Sequence, residues 1–200
     1  MESQMQLQVH KTSIYNKNTV FALSHLKGNI GQAVIETYLL ASGYDIYPYG
    51  YENNYANITR FVKTDYLDKT TTKIRSMPDL LVCDKDNNER FLLQIKATTT
   101  PDESKYWIGK GQFNSYREYW AEALLTVYCI PTGNIHCCKI ADITNFTPGS
   151  LPHKTDPGYY LNLYEFYNMK KYLKRIDSDL CIKLRKEIED ILKLFSQVSA

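Results

Sequence analysis

Between Thr19 and Ser42 the apolar residues Leu23, Leu26, Ile30, Val34, Ile35, Leu39 and Leu40 recur mostly at three- and four-residue steps. That spacing predicts a helix with one buried stripe. Gly43 is a plausible stop signal, and the alternating Tyr44-Asp-Ile-Tyr-Pro-Tyr49 that follows suits a strand. From Tyr51 to Ser76 the pattern weakens, with Asn, Thr, Asp and Lys breaking up Ile58, Phe61, Val62 and Leu67. This stretch reads as an insertion with room for a short helix, and it could serve as a substrate-facing lid.

Two apolar runs, Pro78 to Cys83 and Arg90 to Thr98, flank the turn-rich Asp84-Lys-Asp-Asn-Asn-Glu89 and predict a hairpin. A helix from Gly111 to Ala123 follows, then a strand from Leu124 to Ile130, a turn at Pro131-Thr-Gly-Asn134 and a strand from Ile135 to Ile140. The Pro- and Gly-containing stretch from Thr147 to Gly158 reads as a loop. Beyond it lie a Tyr-rich segment and a final helix near Ser178 to Ser196, whose stripe is Leu184, Ile188, Ile191 and Phe195. The fold class is therefore α/β, a mixed sheet with helices. Residues 1–200 read as a single domain with a core at 19–140, an insertion at 51–76 and a C-terminal extension at 147–200.

Composition narrows the class. No run approaches the roughly 18 apolar residues of a membrane span, and the polar start MESQMQLQVHKT lacks a signal-peptide core, so a soluble intracellular protein with no membrane partner is expected. Five cysteines without a CxxC pair argue for reduced thiols. His136 beside Cys137 and Cys138 suggests zinc less than strand packing, because adjacent strand residues point to opposite faces. A net charge of +2 does not by itself indicate a nucleic-acid partner. Lys170, Lys171, Lys174 and Arg175 follow the aromatic run Tyr159 to Tyr167, which fits either a solvated helix start or a strand-binding surface.

Residues facing each other across an antiparallel pair have a constant index sum. A turn at Asp86-Asn87 puts Asp79 opposite Gln94, with Cβ atoms about 5 Å apart, and a turn one residue later puts it opposite Lys96. Both registers keep the three side chains on one face, and a bulge would break the arrangement. Along the second strand Phe91, Leu93, Ile95 and Ala97 form an apolar face. Arg90, Gln94, Lys96 and Thr98 form the other, with Leu92 the exception. Burying a carboxylate and an ammonium there is costly unless they pair or bind an ion. The face therefore holds either a structural Asp79–Lys96 pair or a catalytic site. Phosphodiester cleavage needs a hard cation on oxygen ligands, a polarised water and a cation near the developing charge. Asp79, the Gln94 side-chain carbonyl and the Ile95 backbone carbonyl supply oxygens, and Lys96 supplies the ammonium.

Met77-Pro78-Asp79, fourteen intervening residues and Gln94-Ile95-Lys96 resemble the PD-(D/E)xK nuclease superfamily in its QxK variant. Together with Lys27-Gly-Asn-Ile-Gly31, Gly43 to Pro48 and Tyr128 to Ile140, they are similar to the family that contains homing endonucleases of cyanobacterial group I introns. The resemblance spans roughly Lys27 to Ile140 and implies a restriction-endonuclease-like fold. The activity it implies is a Mg2+-dependent endonuclease on DNA, with Mn2+ able to substitute and water as nucleophile. Asp79 and Gln94 would be metal ligands and Lys96 the catalytic lysine. The family's helix Glu directly follows the Ile-Gly pair, where this chain has Gln32. Glu36, one turn on, is the nearest acid to complete the catalytic and metal set. Gln112 and Tyr116 form a QxxxY step like that of RecB-type nucleases, or else an exposed polar pair. Lys105, Trp107 and Lys110 are candidates for phosphate or base contact, and Gln32 joins them on the helix. A nuclease-fold subunit that binds nucleic acid or a partner without cutting is the competing reading. Duplex cleavage makes a homodimer or larger homo-oligomer plausible.

Overall fold

The computed structural model describes residues 24–50, 68–151 and 157–176, together with residue 22 and the helical residues 179, 182–188 and 190. Ile58, Phe61, Val62 and Leu67 of the expected insertion, like Leu23, Ile191 and Phe195, lie outside them.

Helix α1 (residues 24–41) buries Gly31, Val34, Ile35, Tyr38 and Leu39. The buried arc is narrower than the expected stripe: at about 100° per residue Leu40 falls opposite Gly31 and Leu26 nearly so, and both are exposed. Gly43 ends the helix as expected. Its φ is +79°, its N–H donates to Leu40 O at 2.9 Å, and the Tyr44 N–H donates to Leu39 O at 3.1 Å, a Schellman closure. A Cβ on Gly43 would also lie 2.5 Å from the Arg175 guanidinium.

The main sheet contains β1 (Asp45–Pro48), β2 (Leu80–Asp84), β3 (Glu89–Thr98), β5 (Leu124–Cys129), β6 (Asn134–Lys139) and β9 (Tyr167–Asn168) in that spatial order. Every neighbouring pair is antiparallel except β3 and β5, which run parallel. The chain crosses between those two through β4 (Tyr106–Gly109) and α3 (Lys110–Tyr119). In place of the expected loop at 147–158, β7 (Phe146–Gly149) and β8 (Gly158–Leu161) join β4 in a second, antiparallel sheet of order β4-β8-β7. The glycines that suggested a loop instead serve close packing, since a Cβ on Gly149 or Gly158 would collide with Tyr160 or Trp107. Helix α3 is also shorter than expected, with Trp120 at its C-cap.

The main sheet is covered on both faces. Leu93 and Ile95 pack with Val34, Ile35, Tyr38 and Leu39 of α1. At the closest approach a Cβ on Gly31 would lie 2.7 Å from that of Ala97. On the other face Leu125, Val127 and Cys129 pack with Phe113 and Tyr116 of α3 and with Ile108 and Leu161 of the second sheet. Leu92, the apolar exception on its strand face, packs against this second cluster. Cys137 and Cys138 go to opposite clusters, as strand alternation requires. The Lys170–Arg175 stretch is not a helix start. Met169–Lys171 form a 3-10 turn, Lys171 lies over the Tyr167 ring, and Arg175 turns inward. In the final helix, Leu184 and Ile188 pack on the first cluster. Among the described residues no helix is long and apolar enough to cross a membrane.

Asp84 closes the β2–β3 hairpin. Its carboxylate, 2% exposed, accepts from Asp86 N, Asn87 N and Asn87 Nδ2 at 3.1, 3.3 and 2.8 Å, and from Arg175 Nη1 at 3.4 Å. These bonds, the Asn87 side chain foremost, hold its pKa below the usual carboxylate value despite the opposing effect of burial. A depressed native pKa contributes stability above the unfolded-state pKa and loses it as pH falls through the native one. Asp84→Asn is therefore expected to unfold at lower urea than wild type at pH 7, with the gap closing as pH drops below the carboxylate range. Urea midpoints measured across pH check this.

Candidate active site on the central hairpin

The β2–β3 ladder runs from Leu80↔Leu93 to Asp84↔Glu89, so the register is the one centred on Asp86 and Asn87. The connection is a four-residue loop, Lys85 to Asn88, with Asn88 at φ +54°. Asn tolerates that left-handed conformation better than most residues. Asp79 is thereby level with Gln94.

At Asp79 the ladder breaks. Its N–H donates to Leu93 O at 2.9 Å, although Leu93 is already the partner of Leu80. Two consecutive residues facing one is the arrangement of a bulge. The Asp79 carbonyl turns toward β1 and accepts from Tyr49 N at 2.9 Å and Gly50 N at 3.3 Å. Continuing the ladder would have offered the Pro78 carbonyl to the Ile95 N–H. Instead that N–H donates to Asp79 Oδ2 at 2.6 Å. The bulge does not separate the triad but draws the carboxylate into the backbone ladder.

The same oxygen accepts from Gln94 Nε2 at 2.5 Å, and that nitrogen also lies 3.4 Å from Ile95 O. Gln94 is 3% exposed. Two oxygens, one anionic and one carbonyl, thus converge on the electropositive end of a buried amide. Lys96 projects from the same face into aromatic surroundings, its Nζ 5.9 Å from the Tyr116 ring centroid. Burial opposes charge on its ammonium, but the Asp79 carboxylate and a hydrogen bond to the Tyr116 hydroxyl oxygen favour it, and its pKa is raised. Lys96 is therefore an ammonium at neutral pH. Burial raises the phenols of Tyr106 and Tyr116, with Lys96 pulling against it, so both stay protonated.

Helix α3 supplies the lid over this face. Of the QxxxY step Tyr116 is buried and Gln112 is exposed, and Gln112 Nε2 donates to the Tyr116 hydroxyl at 2.8 Å. Gln112, Tyr116 and Lys96 are joined in one polar line, and the Asp79 carboxylate acts on its Lys96 end through its field. On α1, Gln32 Nε2 donates to Glu36 Oε1 at 2.8 Å. The apolar side of that helix packs on the sheet face opposite Lys96. Lys105 is exposed, 4.0 Å from Asp102, and Lys110 opens α3 with an exposed side chain. Trp107 alternates with Tyr106 along β4, so it lies on the other side of the second sheet, with its indole against Gly158.

The short helix for which the insertion has room lies at its end, beside the site. Helix α2 (Lys69–Arg75), capped by Asp68 through Thr71 N at 2.8 Å, has the sequence KTTTKIR, with three cations and no acid. A cavity between it and α3 is lined by Thr72, Arg75, Ser76, Gly111, Gln112 and Tyr116, and so opens beside the phenol that touches Lys96. Its position depends on a long-range bond, Trp120 Nε1 to Ser76 Oγ at 3.1 Å, which local patterning does not reveal.

No family model and no curated protein matches the chain. Among solved structures the chain is similar to a nuclease from a fusselovirus, with a TM-score of 0.41 and 15% identity over 82% of this chain and 95% of that one. At that level the likeness assigns neither residues nor chemistry to the present chain.

Proposed function

We propose that the chain is a metal-dependent nuclease of the PD-(D/E)xK type in its QxK form, cutting nucleic acid, DNA by preference, at the Asp79–Gln94–Lys96 face. One observation carries this reading: Asp79 Oδ2 and Ile95 O converge on the Gln94 amide nitrogen, with the Lys96 ammonium on the same strand face. A point flanked by an anionic oxygen and a carbonyl oxygen suits a hard divalent cation, and rotating the Gln94 amide would present its own oxygen to it. The donor set therefore fits Mg2+ or Mn2+, held by Asp79, Gln94 and Ile95. Glu36 stands apart from this set, since its helix packs on the sheet face opposite Lys96 and its carboxylate is engaged by Gln32.

When bound, the ion would polarise a phosphodiester oxygen and lower the pKa of water. The protein does the rest. Asp79 and the Ile95 carbonyl orient the reacting group, and the Lys96 ammonium balances the charge that builds on phosphate. Tyr116, steadied by Gln112, holds that ammonium in place. Helix α2 and the cavity at Arg75 provide a basic approach for the strand, with Lys110 beside it at the start of α3. A second reading, a subunit that binds without cutting, is favoured by Asp79 Oδ2 already accepting from both Gln94 Nε2 and the Ile95 N–H.

Labelled duplex, single-stranded and branched DNA, and RNA, incubated with Mg2+ or Mn2+ distinguish the two. Cleavage is expected for wild type, with Lys96→Ala slower by about 10²–10³-fold, the loss typical of one transition-state donor. Asp79→Asn, which keeps an acceptor for the Ile95 N–H, should lose cleavage while retaining the native circular dichroism spectrum. Binding without cleavage supports the second reading, and undiminished cleavage in both variants overturns the site.

Gln94→Glu restores a ligand charge. Half-maximal cleavage by this variant should need less Mg2+ than wild type, as read from metal titrations of initial rate. An unchanged or higher requirement would remove Gln94 from the ligand set.

A further inference from the structure

The second group of titratable side chains lies away from the hairpin triad, at the end of β5. Cys129 pairs with Asn134 and Val127 with His136, so Cys129 and His136 are diagonal neighbours on one sheet face. The connection from β3 to β4 lays Glu103 over them, anchored by Leu163 N donating to Glu103 O at 2.9 Å. Glu103 is 2% exposed and Cys129 is fully buried. The His136 side chain is 14% exposed, and its Nε2 lies 2.7 Å from Glu103 Oε2. Asn134 Nδ2 at 3.0 Å and the Thr132 hydroxyl also donate to the carboxylate. The carboxylate oxygen, thiol sulfur and imidazole nitrogen all lie within 4.8 Å of one another.

The geometry points to a site for a borderline-soft divalent cation of the Zn2+ class, with Glu103, Cys129 and His136 as its three protein ligands and the fourth position left to water. One hairpin and the distant β3–β4 connection bring three different donor types to one buried point, and a mixed O, S, N set is what Zn2+ takes. Sulfur and nitrogen discriminate against Mg2+, which prefers oxygen alone, so this site and the hairpin select different ions. Burial is the second argument. A carboxylate and a thiol facing each other out of water repel once both are anions, and a cation between them removes that cost. On binding, the S–H bond would break with its proton going to solvent, and the Nε2 proton shared with Glu103 would leave that nitrogen, so that sulfur and Nε2 are free to ligate and the imidazole keeps one proton, on Nδ1. Thr132 and Asn134 then act as supporting donors to the ligating carboxylate.

The consequence is mechanical. The ion would fasten the segment carrying Glu103 to the β5–β6 hairpin. That segment leads within three residues to Tyr106, whose phenol faces Lys96. The site thus holds one wall of the hairpin face without touching it. The inference does not rest on the nuclease reading.

The full chain, stripped with a chelator, is titrated with Co2+ and then with Zn2+. Expected are one equivalent of tightly bound Co2+, a thiolate-to-cobalt absorption band in the near ultraviolet, displacement by Zn2+ but not by excess Mg2+, and a higher Tm with Zn2+. Cys129→Ser and His136→Ala should abolish the band or weaken binding by more than about 100-fold, beyond the roughly 10- to 100-fold that loss of a supporting partner costs. Circular dichroism shows whether each variant is folded. If His136→Ala unfolds, His136→Gln replaces it. Asp79→Asn should leave the cobalt band intact, which separates this site from the hairpin. No thiolate band in folded wild type, or equal binding by Cys129→Ser, would show a hydrogen-bonded carboxylate cluster only and overturn the proposal.

Discussion

The Ile95 N–H is left without a backbone acceptor where β2 shifts out of step with β3, and a buried amide hydrogen in that position has to be satisfied. The Asp79 carboxylate satisfies it at 2.6 Å. That single bond determines where the site lies. It places an anion at the seam between two central strands, at the level where Gln94 and Ile95 O also arrive, and it does so with groups that the backbone itself positions. Once the carboxylate is there, strand alternation puts Lys96 on the same face two residues on, and the field of the carboxylate helps keep that ammonium charged in apolar surroundings. A chemical role and a structural role therefore meet in one side chain.

The layers around the sheet decide what each face can do. Helix α1 approaches β3 so closely that Gly31 has no room for a Cβ, and that face is sealed by aliphatic packing. The opposite face is covered by elements that bring hydroxyls as well as rings. Tyr116 comes from α3 and Tyr106 from the second sheet, and both converge on Lys96. The crossover between the parallel strands β3 and β5 supplies both tyrosines, and also Glu103 near its start. The topology that makes a parallel pair possible thus also furnishes the walls of the site.

Much of this was legible in the residues. A constant index sum paired Asp79 with Gln94, because a hairpin's register follows from its turn, and Asp84-Lys-Asp-Asn-Asn-Glu89 can turn in few places. The four-residue loop found there keeps the same centre. The strand alternation of Phe91 to Thr98 named the two faces, and Leu92 looked anomalous only because the second cluster that covers it was unseen. The strands β7 and β8 were missed for a physical reason. They are four residues each, and the glycines and Pro148 that read as loop signals are places where Tyr160 and Trp107 pack on bare backbone. The cysteines were judged correctly as neighbours on a strand, but the real partner of His136 is across the hairpin and in a distant connection.

What the sequence determined by itself is local and periodic: the helical arc of α1, its glycine stop, the hairpin register, and the set of side chains sharing a face with Asp79. Each follows from spacing along a few turns of helix or a few residues of strand. Only the tertiary structure decided that Asp79 leaves the ladder and lends its carboxylate to Ile95. The same holds for Tyr116 and Tyr106 enclosing Lys96, and for Glu103 meeting Cys129 and His136. Those arrangements depend on contacts between residues tens of positions apart, and their energies come from burial and hydrogen bonding in a packed interior that no local window contains. The hairpin carries the chemistry because of its sequence, and it presents that chemistry because of its surroundings.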